Sequence, residues 1–188
     1  YDTPDRAFEV YVYNGKAYVA DGYSGLLILN VTDINNPVIE GSCNTPGVAL
    51  DVTVADTFAY VADANKGLRI INISSSFASF ETGHYDSVSN TMALILDSNR
   101  VFLADYAGLL ILDAGDPSHP KKLGANNGLS YLSDVAGVYS DSLIFTMGMT
   151  RGIGTVNIST PAAPSLICTF DTPGEASKIK ISGNDAFV

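Results

Sequence analysis

The chain repeats itself, and the period limits what it can fold into. Residues 18–31 read YVADGYSGLLILNV, and residues 60–73 read YVADANKGLRIINI. The aspartate closing the first segment is Asp21, the second is Asp63, and FLAD puts Asp105 in the same place, two successive steps of 42 residues. The glycine opening the following apolar run recurs as Gly25, Gly67, Gly108 and Gly152, spaced 42, 41 and 44 apart. Slips of that size belong in loops. YDTP at 1–4 returns as NTPG at 44–47, weakens to DSVS at 86–89 and comes back as DTPG at 171–174. The copies cover approximately 1–43, 44–85, 86–127 and 128–170, with a partial fifth at 171–188. A period in this range marks units that cannot bury their own faces and stack to do so.

Within one copy, turn chemistry separates four short strand candidates, FEVYVY, KAYVAD, GLLILNV and PVIEGSC. Asn14-Gly15, residues 22–25 and residues 33–37 supply the breaks. Four strands of about five or six residues with short hairpin loops fill about 40 residues. The two LLIL runs, at 26–29 and 109–112, are continuously apolar rather than alternating, the mark of a sheet covered on both faces. A helical repeat needs a 3.6-residue period, a leucine-rich repeat is shorter, and a sandwich leaves one face of each sheet wet. The expectation is an all-β fold, a β-propeller built from four-stranded antiparallel blades of about 42 residues, with four blades and part of a fifth.

Composition narrows the function. Ten Lys and Arg against twenty Asp and Glu give a net charge of −10, which repels nucleic acid and acidic membrane surfaces. No apolar run approaches the ~20 residues of a spanning helix, and Tyr1 is followed by neither a basic nor an apolar leader region. Any targeting signal is expected outside this segment. The pattern at NDAFV calls for a further half-blade, so a longer protein is expected. Cys43 and Cys168 occupy different places in their copies and are expected as free thiols. His84 and His119 sit in polar, turn-like contexts.

The pattern DTPG…AYVADG..GL.I.[DN][VI], seen over residues 44–73 and with changes in every copy, resembles the LVIVD repeat of bacterial and archaeal β-propeller proteins. The resemblance spans essentially the whole chain. It implies a protein that is exported or attached to the cell surface, and it supplies no catalytic motif.

Several residues are candidates for a site. Asp21, Asp63 and Asp105 belong on one face of the propeller, either accepting hydrogen bonds from their own turns or holding a ligand or cation. Glu9, Asp51 and Asp134 open the first strands of their copies, where carboxylates around a central channel would suit Ca²⁺. Ala93 and Lys178 interrupt that set. Asn30, Asn72 and Asn157 each begin N-x-[ST], at one repeat position, which reads as common descent from one motif as well as glycan acceptance. The fourth copy departs most: IFTMGMTRGI at 144–153 puts Met147 in place of the aspartate and adds Met149 and Arg151. With Tyr23 and Tyr106, these residues are expected to form an exposed binding patch on the loop face.

No G-x-S-x-G, Cys/His pairing or phosphate-cradling loop is present. The function expected is non-catalytic: a scaffold that binds a protein or ligand through its loop face. The alternatives are a structural subunit of an extracellular assembly, self-associating through an open blade edge, and an enzyme with a site in the central channel.

Overall fold

Each of the four full copies forms one four-stranded antiparallel sheet in meander order. The computed structural model describes residues 1–86, 89–140, 142–148, 152–174, 176–183 and 185–188. Sheet 1 comprises β1 (Glu9–Tyr13), β2 (Lys16–Ala20), β3 (Leu26–Asn30) and β4 (Val38–Cys43). Sheet 2 comprises β5 (Asp51–Ala55), β6 (Phe58–Ala62), β7 (Leu68–Asn72) and β8 (Phe80–Tyr85). Sheet 3 is β9 (Thr91–Asp97), β10 (Arg100–Asp105), β11 (Gly108–Asp113) and β12 (Lys121–Asn126). Sheet 4 is β13 (Leu132–Tyr139), β14 (Leu143–Gly148), β15 (Gly152–Asn157) and β16 (Ser165–Phe170). The fifth copy contributes a two-stranded sheet, β17 (Lys180–Ser182) and β18 (Asp185–Phe187). No helix among the described residues is long and apolar enough to cross a membrane.

Local chemistry repeats with the sheets. The first residue of the loop between the first two strands takes a left-handed backbone in every copy: Asn14, Asp56, Ser98 and Ser140, with φ of 50°, 53°, 55° and 51°. That conformation matches hairpin turns to the twist of the flanking strands. After the third strand, Asn30 Oδ1 accepts the Thr32 N–H at 3.0 Å, and Asn72 and Asn157 accept from Ser74 and Ser159 at 2.9 Å. Asp113, which breaks the N-x-[ST] motif, accepts the Gly115 N–H at 2.9 Å and makes the same turn. The position selects a short side-chain acceptor, and Asp serves as well as Asn.

Contacts fall into two compact units, residues 1–91 with 116–120 and residues 92–115 with 121–188. In the first unit, Tyr18, Ala20, Leu26 and Ile28 on one face of sheet 1 pack against Val52, Val54, Ala59, Val61 and Ile71 of sheet 2. The opposite face of sheet 1 buries Ala17, Val19, Leu27 and Leu29. The unbroken LLIL run is thus dry on both sides. In the second unit, Phe102, Ala104, Leu109 and Ile111 of sheet 3 meet Val135, Ile144 and Val156 of sheet 4. Ile179, just before β17, joins Ala136 and Met147 on the far face of sheet 4.

Neighbouring sheets are also joined through backbone. The residue after each repeat aspartate bonds to the segment that opens the next copy: Gly22 exchanges hydrogen bonds with Ala49, Ala64 accepts from the Thr91 N–H at 3.0 Å, and Tyr106 accepts from the Tyr131 N–H at 2.8 Å. A second junction lies on the outer strands. Gly41, Gly83 and Gly124 each sit just past a bulge in β4, β8 and β12. A Cβ there would collide with the carbonyl oxygen of Ser76, Pro117 or Pro161, all in the third-to-fourth-strand loop of the following copy. In sheet 4 the equivalent partner of Thr155 is Cys168. Cys43 is half-buried, Cys168 is exposed, and both are free.

Candidate functional site

One concavity of the first unit lies at the end of the sheets carrying the second-to-third-strand turns. It is a solvent-open recess of about 650 Å³ lined by Tyr23, residues 46–48, residues 64–66, Ser89 and Asn90. That volume falls within the roughly 300–1,000 Å³ of ligand sites. Tyr23 stands at its rim, 76% exposed, with its N–H donating to Asp5 Oδ2 at 2.7 Å.

A buried ion pair fixes both polar walls. Asp63 is fully buried; its Oδ1 accepts the Thr45 hydroxyl at 2.6 Å and its Oδ2 the Gly47 N–H at 2.8 Å. These bonds hold the segment that enters β5. Gly47 has no room for a Cβ, which would lie 2.9 Å from the Asp63 carboxylate carbon. Arg69, 4% exposed, sits with Nε 3.6 Å from Asp63 Oδ2. Its Nη2 donates to the Lys66 carbonyl and to Asp86 Oδ1, each at 2.6 Å, and Nη1 lies 3.6 Å from Glu81. One end of the pair therefore holds residues 45–47, and the other holds the 64–66 turn. Arg69 takes the place of Leu27 in sheet 1, three residues before the turn asparagine. This substitution gives the second copy a cation inside the sheet stack.

Burial raises the Asp63 carboxyl above its ordinary 3.8, against the lowering effects of Thr45, Gly47 and Arg69. A raised folded-state value means the folded chain keeps the proton longer than the unfolded chain. The associated stability is complete below 3.8 and is lost as pH rises through the raised value. Asp63→Asn cannot ionise. In urea unfolding from about pH 3 to about pH 7, the stability of the wild type relative to this variant is expected to decline as pH rises. A relative gain by the wild type over that range would contradict the assignment.

The other repeat aspartates differ in their partners. Asp21 Oδ2 accepts the Asp5 N–H at 3.1 Å, at the register of Gly47, and Asp105 Oδ1 accepts the Ala107 N–H of its own turn at 2.8 Å. Own-turn bonding, expected for all three, is seen at Asp105. Asp21 and Asp63 hold the segment leading into the first strand of their sheet.

Glu9, Asp51 and Asp134 all lie at or near the start of first strands. Asp51 and Asp134 are buried, and each turns one oxygen to the next N–H, of Val52 at 2.7 Å and of Val135 at 2.9 Å. Asp134 Oδ2 also accepts the Ile179 N–H at 2.8 Å. Glu9 Oε1 accepts from Val10 at 3.3 Å. Among the described residues, no group of three or more His, Cys, Asp or Glu stands close enough to hold a metal ion. His84 pairs with Glu81 at 2.8 Å and His119 with Asp116 at 3.1 Å, both on exposed turns or edges.

Met147 corrects the expectation of an exposed patch: it is completely buried. Strand register gives the reason. Gly148 pairs with Gly152 as Asp105 pairs with Gly108, so FTMG, not IFTM, is the counterpart of YVAD. Met147 takes the place of the buried alanines Ala20, Ala62 and Ala104, and Gly148 that of the aspartate. The larger side chain packs against Ala136 and Ile179. Met149 and Arg151 lie outside the described residues. Tyr106 is half-buried against Tyr131, with ring centroids 5.6 Å apart. Reading strands one at a time missed Lys66, Asn65 and Asn90 in the recess, and Tyr131. Comparing copies by position would have singled out Tyr131, whose counterparts are Ala49 and Thr91.

Four-stranded antiparallel sheets, one per copy of about 42 residues and packed face to face within each unit, make this a β-propeller repeat protein. The LVIVD repeat model matches residues 6–45, 46–86 and 90–126, and the chain belongs to that family. The matches stop before sheet 4, where the YVAD segment has become FTMG. No curated protein sequence matches the chain. Among solved structures, the computationally designed Ika8 protein aligns with a TM-score of 0.71 at 11% identity, over 96% of this chain and 54% of that one. The chain thus spans about half the length of Ika8. The computationally designed Ika4 protein aligns with a TM-score of 0.65 at 8% identity, over 88% of this chain and 92% of its own. Identities this low bear on the fold alone.

Proposed function

We propose that this protein is a non-catalytic scaffold that binds a protein or ligand on its loop face, in the recess of the first unit, and that it works outside the cytoplasm or at the cell surface. The observation that carries the binding reading is the buried Asp63–Arg69 pair, which holds both walls of the recess in place before any ligand arrives. Preformed walls reduce the ordering cost of association. The lining suits recognition rather than reaction. Tyr23 offers a large amphipathic ring, Lys66 a positive charge, and Asn65 and Asn90 amide donors and acceptors, while none of the lining residues is a carboxylate, histidine or cysteine. Placement outside the cytoplasm rests on the family likeness.

Photo-crosslinking tests the reading. With p-benzoylphenylalanine at Tyr23, irradiation in extracts of the source cells and their medium is expected to give a discrete adduct. The same group at Ile34, equally exposed on a third-to-fourth-strand loop, is expected to give none. Adducts at Ile34 alone, or at neither position, would remove the recess as the binding site.

A further inference from the structure

The loop end of the second unit carries an aromatic pair that no repeat requirement explains. Tyr131 occupies the position of Ala49 and Thr91, each fully buried, yet it is 54% exposed. Its backbone is left-handed, with φ 56°, a conformation that is an outlier for a bulky side chain and one that collects at functional sites. Ala49 and Thr91 make their junctions without it. The loop is held firmly. The Tyr131 N–H donates to the Tyr106 carbonyl at 2.8 Å, the Gly128 N–H to Asn126 Oδ1 at 3.0 Å, and Leu129 is buried in the core beneath. Tyr106 backs the Tyr131 ring at 5.6 Å and 54°, leaving much of that ring in solvent.

The surroundings define the ligand. Residues 126–131 and 106–108 carry no charged side chain; apart from the buried Leu129 they present amides, a hydroxyl, small residues and the two phenols. These two segments offer an anion no cation, and the net charge of −10 would oppose its approach. A proline-rich peptide needs successive aromatic ridges, whereas the residues beside the pair are Ala107, Gly128 and Ser130. A rigid aromatic face bordered by neutral hydrogen-bonding groups matches the two-sided chemistry of a sugar ring, apolar C–H on its face and hydroxyls at its edge. We propose that Tyr131, backed by Tyr106, is a stacking platform for the pyranose ring of a neutral saccharide. The inference is independent of the recess in the first unit.

The test is a titration of the full chain, with tyrosine-ring isotope labels read by NMR, against cellohexaose, maltohexaose, mannohexaose and chitohexaose. A hexagalacturonate and a polyproline peptide serve as comparators. At least one neutral hexasaccharide is expected to shift the Tyr131 ring resonances in preference to both comparators. Tyr131→Ala is expected to weaken that binding by about tenfold or more, as for loss of one stacking contact, and Tyr131→Phe by no more than about threefold. Tyr131→Gly suits a left-handed backbone and is expected to keep or raise the melting temperature while losing binding, which separates recognition from folding. Failure of all four sugars, preference for either comparator, or undiminished binding by Tyr131→Gly would overturn the proposal.

Discussion

Gly83→Ala is expected to destabilise the protein by about 3 kcal/mol, lowering its melting temperature by about 6–12 °C. The added methyl would be driven into the Pro117 carbonyl oxygen, a backbone atom that cannot move aside as a flexible side chain can. Relief requires separating the outer strand from the loop that rests on it, which opens packing between copies. Gly41→Ala and Gly124→Ala meet the same obstacle at Ser76 and Pro161 and are expected to behave alike. Gly174→Ala is the control, because nothing lies within 4 Å of the added carbon, and it is expected to change stability by less than about 0.5 kcal/mol. Thermal and urea unfolding of the four variants check the set. Near-neutral behaviour of Gly83→Ala would mean that the outer junction is slack.

Arg69→Leu is expected to cost about 3–5 kcal/mol, although leucine is the residue sheet 1 carries at this position. In sheet 2 the loss would leave Asp63 buried without its cation and free the Lys66 carbonyl. Asp63→Ala should cost a similar amount, since the Thr45 hydroxyl and Gly47 N–H lose their acceptor. The two losses share one interaction. The double variant is therefore expected to be more stable than the sum of the single effects predicts, by about 1–3 kcal/mol. Simple additivity in denaturant unfolding would show that Arg69 acts through Lys66, Glu81 and Asp86 and not through Asp63. Both single variants should also loosen the recess, since each releases one of its walls.

Much of the architecture was legible because it depends on positions that repeat. The aspartates at 42-residue steps and the unbroken LLIL runs lead directly to sheets dry on both faces, and Leu26 to Leu29 are buried as that argument requires. Misalignment arose where a copy had drifted. Matching letters set Met147 against the aspartate, whereas hydrogen-bond register sets Gly148 there. The outer glycines recur visibly at 41, 83 and 124, but what they make room for belongs to the following copy, beyond the reach of local reading. The candidate site was less legible still. Arg69 and Tyr131 matter because they depart from their counterparts, and their partners lie far along the chain or in another turn.

Cys168 gives the modules a direction and an order. Three of them leave a notch on the outer strand for a successor's loop; the fourth has a thiol-bearing side chain where the notch would be. In a shuffled array, the fourth module placed ahead of another would present that side chain to the incoming loop, whereas any of the first three would not. Modules of this chain are therefore not interchangeable parts, however alike their letters, and recombination among the copies is constrained by a single carbon atom.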